Sequence, residues 1–194
     1  MYKAKSFTSA LALGLVATGL ATAAVSVRPS FADDMVMVGG AAMLPSRNII
    51  ENAVNSKDHT TLVAAVKAAG LVETLSGKGP FMVFAPTNEA FAKLPAGTVD
   101  TLLKPENKAK LVKILTSHVV GASVMSGAIA KMVDDDKGAH TVKTLSGAKL
   151  IVKKAADGRL TLTDENGGTA TVTIADVKQS NGVIHVVDAV LLPK

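Results

Sequence analysis

The sequence predicts a single α+β domain in which helices cover an antiparallel sheet. Apolar residues recur at helical spacing through most of the chain before residue 133. After that point, short strands alternate with turn dipeptides such as Ser146-Gly147 and Asp157-Gly158. Helices followed by strands are typical of α+β domains. Within the helical half, the apolar run from Phe81 to Ala85 predicts one early buried strand.

Residues 1–32 are predicted to be an export signal. Lys3 and Lys5 give a basic start, residues 10–24 are apolar or small, and Ser30-Phe31-Ala32 fits a small-x-Ala cleavage pattern. The alternative is an uncleaved membrane anchor. It is disfavoured because the leucines stop at Leu20 and the Thr and Ser residues that follow suit a spanning helix of roughly 20 apolar residues poorly. We therefore expect a secreted protein, in the periplasm or outside the cell, with no stable membrane insertion after cleavage.

Cleavage would leave an extended N-terminal arm at 33–46 and one domain at 47–194. Three of the 21 basic residues, Lys3, Lys5 and Arg28, lie in the leader, so 18 remain against 16 acidic residues, a net charge of +2. A net charge this small does not indicate the strongly basic surface that nucleic-acid binding requires. The chain contains no Cys, which excludes disulfides, thiolate metal sites and cysteine catalysis. We expect a monomer stabilised by packing.

The first half of the domain is predicted to be helical. Residues 48–75 follow a helical period with a polar break at 56–58, and Gly70 is placed to end a helix there. A short helix should follow Thr98, and Pro105 should open the longest helix. The residues expected to face inward are Ile49, Ile50, Ala53, Val54, Leu62, Val63, Val66, Ala69, Leu75, Val99, Leu102, Leu103, Leu111, Ile114 and Leu115.

The stretch from Pro80 to Pro95 joins the predicted strand to a capped helix. The aromatic residues of the chain after residue 32 are Phe81, Phe84 and Phe91. Since a buried ring carries a large apolar area, we expect the core to nucleate around these three side chains. The strand should stop at Pro86, and the Thr87 hydroxyl should cap a short helix that runs to Lys93.

The second half is predicted to contain a short helix, an acidic loop and then strands. The helix is expected around 128–132 and the loop at 134–137. Strands are expected at 141–145, 150–154, 160–163, from Ala170 past Ile174, and at 183–191. Asn181-Gly182 is the strongest hairpin signal in this part of the chain.

Two separated blocks of this sequence resemble the fasciclin domain family, an extracellular adhesion and binding module. The Pro80–Pro95 stretch resembles the first homology block of that family, and Asn181–Pro193 resembles the second. The resemblance covers about residues 48–193 and implies a wedge-shaped β-sandwich of about seven strands with helices packed along one edge. Leu115–Val120 lies where the family usually has a tyrosine and histidine pair, but Ser117 stands in the place of the tyrosine. The integrin adhesion associated with that pair is therefore not carried over.

The histidines and acidic residues do not form a catalytic or metal-binding motif. His118 and His185 fall on apolar faces and are expected to be buried structural groups, whereas His59 and His140 are expected to face solvent. No nucleophile elbow, phosphate-binding loop or paired-histidine metal motif occurs in the sequence. The acidic runs at 134–136 and 164–168 are interpreted as solvated turns. We therefore expect neither an enzyme nor a bound cofactor.

A rigid recognition surface is the remaining hypothesis. Thr87, Asn88 and Glu89 place polar groups at the start of a helix anchored by Phe91. Two interpretations stay open: these groups bind a partner, or they serve only as the helix N-cap and its first turn. The resemblance implies adhesion through a surface protein or carbohydrate. The alternative is an extracytoplasmic small-ligand or metal carrier that uses a Met-rich segment, since thioethers bind soft metals. Its methionines are Met35, Met37 and Met43.

Overall fold

The computed structural model describes residues 35–194, so the predicted export signal lies outside the described residues. Within them the helices are α1 (Ile49–Ala53), α2 (Thr60–Ala69), α3 (Val72–Ser76), α4 (Asn88–Ala92), α5 (Thr98–Leu102), α6 (Lys108–Thr116) and α7 (Ser126–Asp135). The strands are β1 (Val36–Val38), β2 (Ala41–Met43), β3 (Phe81–Pro86), β4 (Val119–Val120), β5 (Ala139–Lys143), β6 (Lys149–Lys154), β7 (Leu160–Thr163), β8 (Thr169–Gln179) and β9 (Gly182–Val187). Two 3-10 turns, Lys57–His59 and Pro105–Asn107, precede α2 and α6.

Seven strands form one sheet in the order β4-β3-β9-β8-β7-β6-β5. All neighbouring pairs are antiparallel except β3 and β9, which run parallel from Phe81 opposite Gly182 to Pro86 opposite Val187. The predicted α+β class is confirmed, and the parallel pair is the departure from the antiparallel sheet that was expected. Parallel strands cannot be joined by a tight turn, and the connection between these two strands runs from residue 87 to residue 181.

The sheet folds over so that strands far apart in its order share one hydrophobic cluster. Met82 and Phe84 of β3 belong to this cluster together with Leu150 of β6, Leu162 of β7 and Val133 of α7. Phe84, Leu150 and Leu162 are each no more than 1% exposed. The arrangement is sandwich-like, since the inner faces of two parts of the sheet enclose the cluster.

A second cluster joins the opposite face of β3 to the first six helices. Val83 and Ala85 point into it, as the alternation of side chains along a strand requires. Each of α1 to α6 contributes a buried residue, namely Ile49, Leu62, Leu75, Phe91, Leu102 and Leu111. Phe81 packs against this cluster while Phe84 lies in the other, so the three rings do not form the single nucleus that was expected.

The helices follow the sequence prediction with three corrections. Gly70 ends α2 in the left-handed conformation with φ 74°, as predicted. Val54 was expected to face inward but is 49% exposed, because it lies at the end of α1 where the chain turns away. Pro105 opens a 3-10 turn, and α6 with 9 residues is shorter than α2 and α7 with 10 each. The predicted acidic loop begins too early, since α7 continues to Asp135.

Residues 36–43, predicted as part of an extended arm, form a β-hairpin of β1 and β2. Val38 and Met43 on its inner face are 3% and 2% exposed and belong to the helix-side cluster. The hairpin between β8 and β9 has Ser180-Asn181 as its loop, with Gln179 opposite Gly182, one residue earlier than the Asn181-Gly182 signal suggested. No helix in residues 35–194 has the length and apolar character needed to cross a bilayer.

Replacement of Phe84 by Ala should lower the free energy of unfolding by about 3 to 5 kcal/mol, because it removes a ring from a closely packed cluster. The ring also stacks on the imidazole of His185, with centroids 5.8 Å apart. Urea denaturation of the Phe84→Ala variant measures the loss. Lys108→Ala on the exposed side of α6 is the control. Equal losses of unfolding free energy in the two variants would contradict the role given to Phe84.

Candidate functional site

The corner between β3 and α4 is the predicted recognition site, and its backbone is fixed on both sides. The Thr87 side chain accepts a hydrogen bond from the Ala90 amide at 3.2 Å, which caps α4. The Thr87 amide donates to the Val187 carbonyl at 3.3 Å, which extends the pairing with β9 beyond the strand. We name Pro86–Lys93, together with Asp188, the polar corner.

Asn88 was expected to be available to a partner, but its amide group is occupied within the chain. Its Oδ1 accepts hydrogen bonds from the Thr61 amide at 3.0 Å and the Thr60 hydroxyl at 3.2 Å. Its Nδ2 donates to the Lys57 carbonyl at 2.8 Å. Helix α2 receives no side-chain cap from His59, the residue that precedes it, so Asn88 satisfies its second amide from another element. Asn88 is therefore a structural residue that ties α4 to the start of α2.

The charged side chains that the polar corner leaves accessible are Glu89, Lys93 and, in part, Asp188. Glu89 is exposed on the first turn of α4. The Lys93 ammonium donates to the Asp188 carbonyl at 2.7 Å and lies 3.9 Å from its carboxylate. Asp188 is fixed in turn by the Thr171 amide, which donates to Oδ1 at 2.7 Å. Sequence reasoning missed Lys93 and Asp188, since they are separated by 95 residues and no local pattern links them.

His118 is 2% exposed and both of its ring nitrogens have partners. Nδ1 lies 2.8 Å from the Ile114 carbonyl, and Nε2 accepts from the Leu191 amide at 3.0 Å. Nδ1 must then carry the proton, which makes the ring a neutral imidazole. Burial lowers the pKa of His118 to about 4, although the Ile114 carbonyl and the charge of Asp164 act in the opposite direction.

His185 lies in β9, where the structure places it at 0% exposure. Its Nδ1 accepts from the Asp176 amide at 3.3 Å, and its Nε2 lies 3.1 Å from the Val124 carbonyl. Burial is the main reason that the pKa of His185 is lowered. Because both nitrogens of His118 and of His185 are bonded inside the protein, neither ring offers a free lone pair to a metal ion or a substrate.

His59 was expected to face solvent, and that expectation is wrong because the ring is 3% exposed. Its Nδ1 lies 2.9 Å from the Ser56 hydroxyl, and burial lowers its pKa. The 3-10 turn before α2 rotates the ring inward, beneath the β1–β2 hairpin. His140 is partly exposed, and its Nδ1 lies 2.6 Å from the carboxylate of Asp136.

Asp164 was interpreted as part of a solvated turn but is 8% exposed. Its carboxylate accepts hydrogen bonds from the amides of Asn166, Gly168 and Leu192 at 2.7 to 2.9 Å. It therefore joins its own turn to the segment that follows β9.

Ser117, at the position where the family usually has a tyrosine, is 1% exposed and donates to the Lys113 carbonyl at 2.7 Å. Ser117 thus presents no group to a partner.

The Met-rich segment does not bring its thioethers together. Met43 points into the core at 2% exposure, whereas Met35 and Met37 are 42% and 59% exposed. In residues 35–194, no cluster of three or more His, Asp or Glu side chains is placed to hold a metal ion.

A second exposed surface was missed by the sequence reasoning. On the outer face of β5 and β6, Lys143 lies directly opposite Lys149, and Thr141 lies opposite Ile151. Lys153 continues the same face of β6. Like charges directly opposite each other destabilise a strand pair, so this pair of lysines does not stabilise the sheet. The alternation was visible in the sequence, but the register that pairs the two lysines was not.

Comparison with known proteins agrees with the sequence resemblance. Residues 57–193 match the family described as Fasciclin domain. Protein sll1483 of Synechocystis sp. is 48% identical over 182 residues, which cover 91% of this chain and 90% of that protein. Cell surface glycolipoprotein MPB83 of Mycobacterium bovis is 34% identical over 161 residues, which cover 80% of this chain and 64% of that protein.

A solved structure supports the fold. The FAS1 domain pair from the insect cell adhesion molecule Fasciclin I aligns with a TM-score of 0.66 and 19% sequence identity. The alignment covers 77% of this chain and 52% of the domain pair, so this chain spans about half of that structure.

The structure assigns Asn88 a role that a stability measurement can test. Asn88→Ala should lower the free energy of unfolding by about 2 kcal/mol, because it leaves the Thr61 amide and the Lys57 carbonyl without their partner. Glu89→Ala, one residue away and exposed, should change stability by no more than about 0.5 kcal/mol. Similar losses for the two variants in urea denaturation would show that Asn88 does not hold α2.

His118 should make stability depend on pH. With a folded pKa of about 4, the folded chain does not protonate this ring between pH 6.5 and 4, whereas the unfolded chain does. The contribution of His118 to the free energy of unfolding is therefore fully present above pH 6.5. It is lost as the pH is lowered to 4, which costs about 3 kcal/mol. Denaturation of the wild type and of His118→Gln at pH 7 and pH 4.5 isolates the effect. Equal pH dependence in the two proteins would contradict it.

Proposed function

This chain belongs to the fasciclin domain family, and we propose that it is an exported binding module that mediates contact with a cell surface or matrix. The partner we propose is a surface protein or a carbohydrate. Support comes from two relatives: one is named a cell surface glycolipoprotein, and the other, an insect cell adhesion molecule, shares the fold. Contact of this kind requires a rigid exposed surface and no reactive group.

The polar corner is the observation that carries the proposal. Thr87 caps α4 and Asn88 ties α4 to α2, so the exposed side chains stand on a backbone that is hydrogen-bonded on both sides. A binding surface that is already ordered loses little conformational entropy when a partner docks. Glu89 and Lys93 are the side chains of this corner that we propose make the contact.

Adhesive rather than catalytic function fits the chemistry of the histidines. His118 and His185 are neutral and bonded inside the chain, so they are not positioned to transfer protons to a substrate. A metal carrier based on the Met-rich segment loses support, because Met43 and Met37 point in opposite directions.

A single domain with one contact surface makes a monovalent interaction. Such an interaction gains strength when many copies are displayed together. We therefore expect weak binding in solution and clear retention of cells or matrix on a densely coated surface. This difference is the expected signature of a surface adhesin.

The experiment compares retention of cells by surfaces coated with three forms of the protein. The double variant Glu89→Ala/Lys93→Ala should retain fewer cells than the wild type. The matched control is Lys131→Ala/Asp135→Ala, which removes one lysine and one acid four residues apart on the exposed face of α7. Its retention should equal that of the wild type, with equal unfolding midpoints for all three proteins.

Equal retention by the corner variant would show that the polar corner is structural only. The surface of β5 and β6 that carries Lys143, Lys149 and Lys153 would then be the next to test by charge reversal. Treating the cells with protease or with periodate before the assay separates the two partner classes, since only a carbohydrate partner is destroyed by periodate and spared by protease.

A further inference from the structure

An open cleft of about 600 Å³ lies between α5, α6 and the segment that follows β9. Its volume is within the range of about 300 to 1,000 Å³ that is typical of sites for small organic ligands. Buried Leu102 of α5 and Ile114 of α6 line it, and Leu192 and Pro193 form the wall that the segment after β9 contributes. This cleft lies outside the polar corner and has no role in the proposed surface contact.

The wall formed by the last residues is held by side chains from other parts of the chain. The Leu191 amide donates to Nε2 of His118 at 3.0 Å. The Leu192 amide donates to the buried carboxylate of Asp164 at 2.8 Å, and the Leu192 carbonyl accepts from Asn166 at 2.6 Å. Successive backbone groups of this wall are thus fixed, so the cleft is an organised part of the fold.

The charged side chains that line the cleft all have one sign. Its 13 lining residues include Lys110, Lys113 and Lys194 and no acidic residue. None of these lysines forms a salt bridge with an acidic side chain in residues 35–194. Lys113 donates to the main-chain oxygen of Lys194, and the Lys110 ammonium is exposed on the same side of α6. The net charge over residues 33–194 is only +2, so this concentration of basic side chains is local.

We propose that this cleft binds an amphipathic organic anion. The acidic head group would pair with Lys110 and Lys113, since ammonium groups form their stronger hydrogen bonds with charged acceptors. The apolar body would pack on Leu102, Ile114 and Pro193, which removes apolar surface from water. Thr98 and Thr101, which also line the cleft, offer hydroxyl groups to the head group.

Isothermal titration calorimetry with three probes tests whether the chain binds such an anion. Dodecanoate, kept below its micelle concentration, should bind in a saturable manner with one molecule per chain. Acetate has the head group without the apolar body, and dodecyltrimethylammonium has the body with the opposite charge, so both should bind at least about tenfold more weakly. Equal binding of the two twelve-carbon probes, or no saturable binding of dodecanoate, would overturn the proposal.

Two variants locate the site. Lys110→Gln/Lys113→Gln should weaken dodecanoate binding by about tenfold or more, whereas Lys131→Gln on α7 should leave it unchanged. Thr101→Trp places a large side chain in the cleft from an exposed position and should also prevent binding. Unchanged affinity in both variants would contradict this location. Cell retention by the same variants should equal that of the wild type, so failure here is distinguishable from failure of the proposed adhesive function.

Discussion

The parallel pairing of β3 with β9 is the constraint on which the rest of this structure depends. It joins two stretches about 100 residues apart and divides the interior, because side chains of β3 alternate between a helix-side and a sheet-side cluster. The pairing begins at Gly182, where a Cβ atom would lie 2.0 Å from the Phe81 carbonyl oxygen. Glycine is needed there for close backbone approach, whereas the sequence pattern had suggested a turn.

Partly buried polar side chains hold the other elements to this pair. Asn181 accepts from the Ile49 amide at 3.0 Å and donates to the carbonyls of Leu75 and Gly77, which ties α1 and α3 to the start of β9. Asp176, with φ 61° in the bulged part of β8, accepts from the Ser126 amide at 2.6 Å at the start of α7. Each of these bonds satisfies main-chain groups that a buried helix end would otherwise leave unpaired.

Sequence reasoning predicted the features that short-range signals determine. The Thr87 cap, the end of α2 at Gly70 and the strand at Leu160–Thr163 each depend on residues within a few positions. It did not predict the burial of His59 and Asp164 or the hydrogen bonds that join Asn88 to the start of α2. The partners of Asn88 lie 27 to 31 residues away and Leu192 lies 28 residues from Asp164, so these roles appear only after the chain has folded.

The residues that carry the family resemblance are mostly those that hold the fold together. Thr87 and Asn88 of the first block, Asn181 and Gly182 of the second block, and His118 between them all have their polar groups or their backbone occupied within the chain. A resemblance that depends on such residues identifies the fold and carries little information about a partner. Specificity must then come from side chains that the fold leaves exposed. In this chain such side chains lie on three surfaces of different chemistry, namely the polar corner, the lysine-bearing face of β5 and β6, and the cleft beside α6. One scaffold of this kind can therefore serve different partners through changes that leave its internal hydrogen bonds intact.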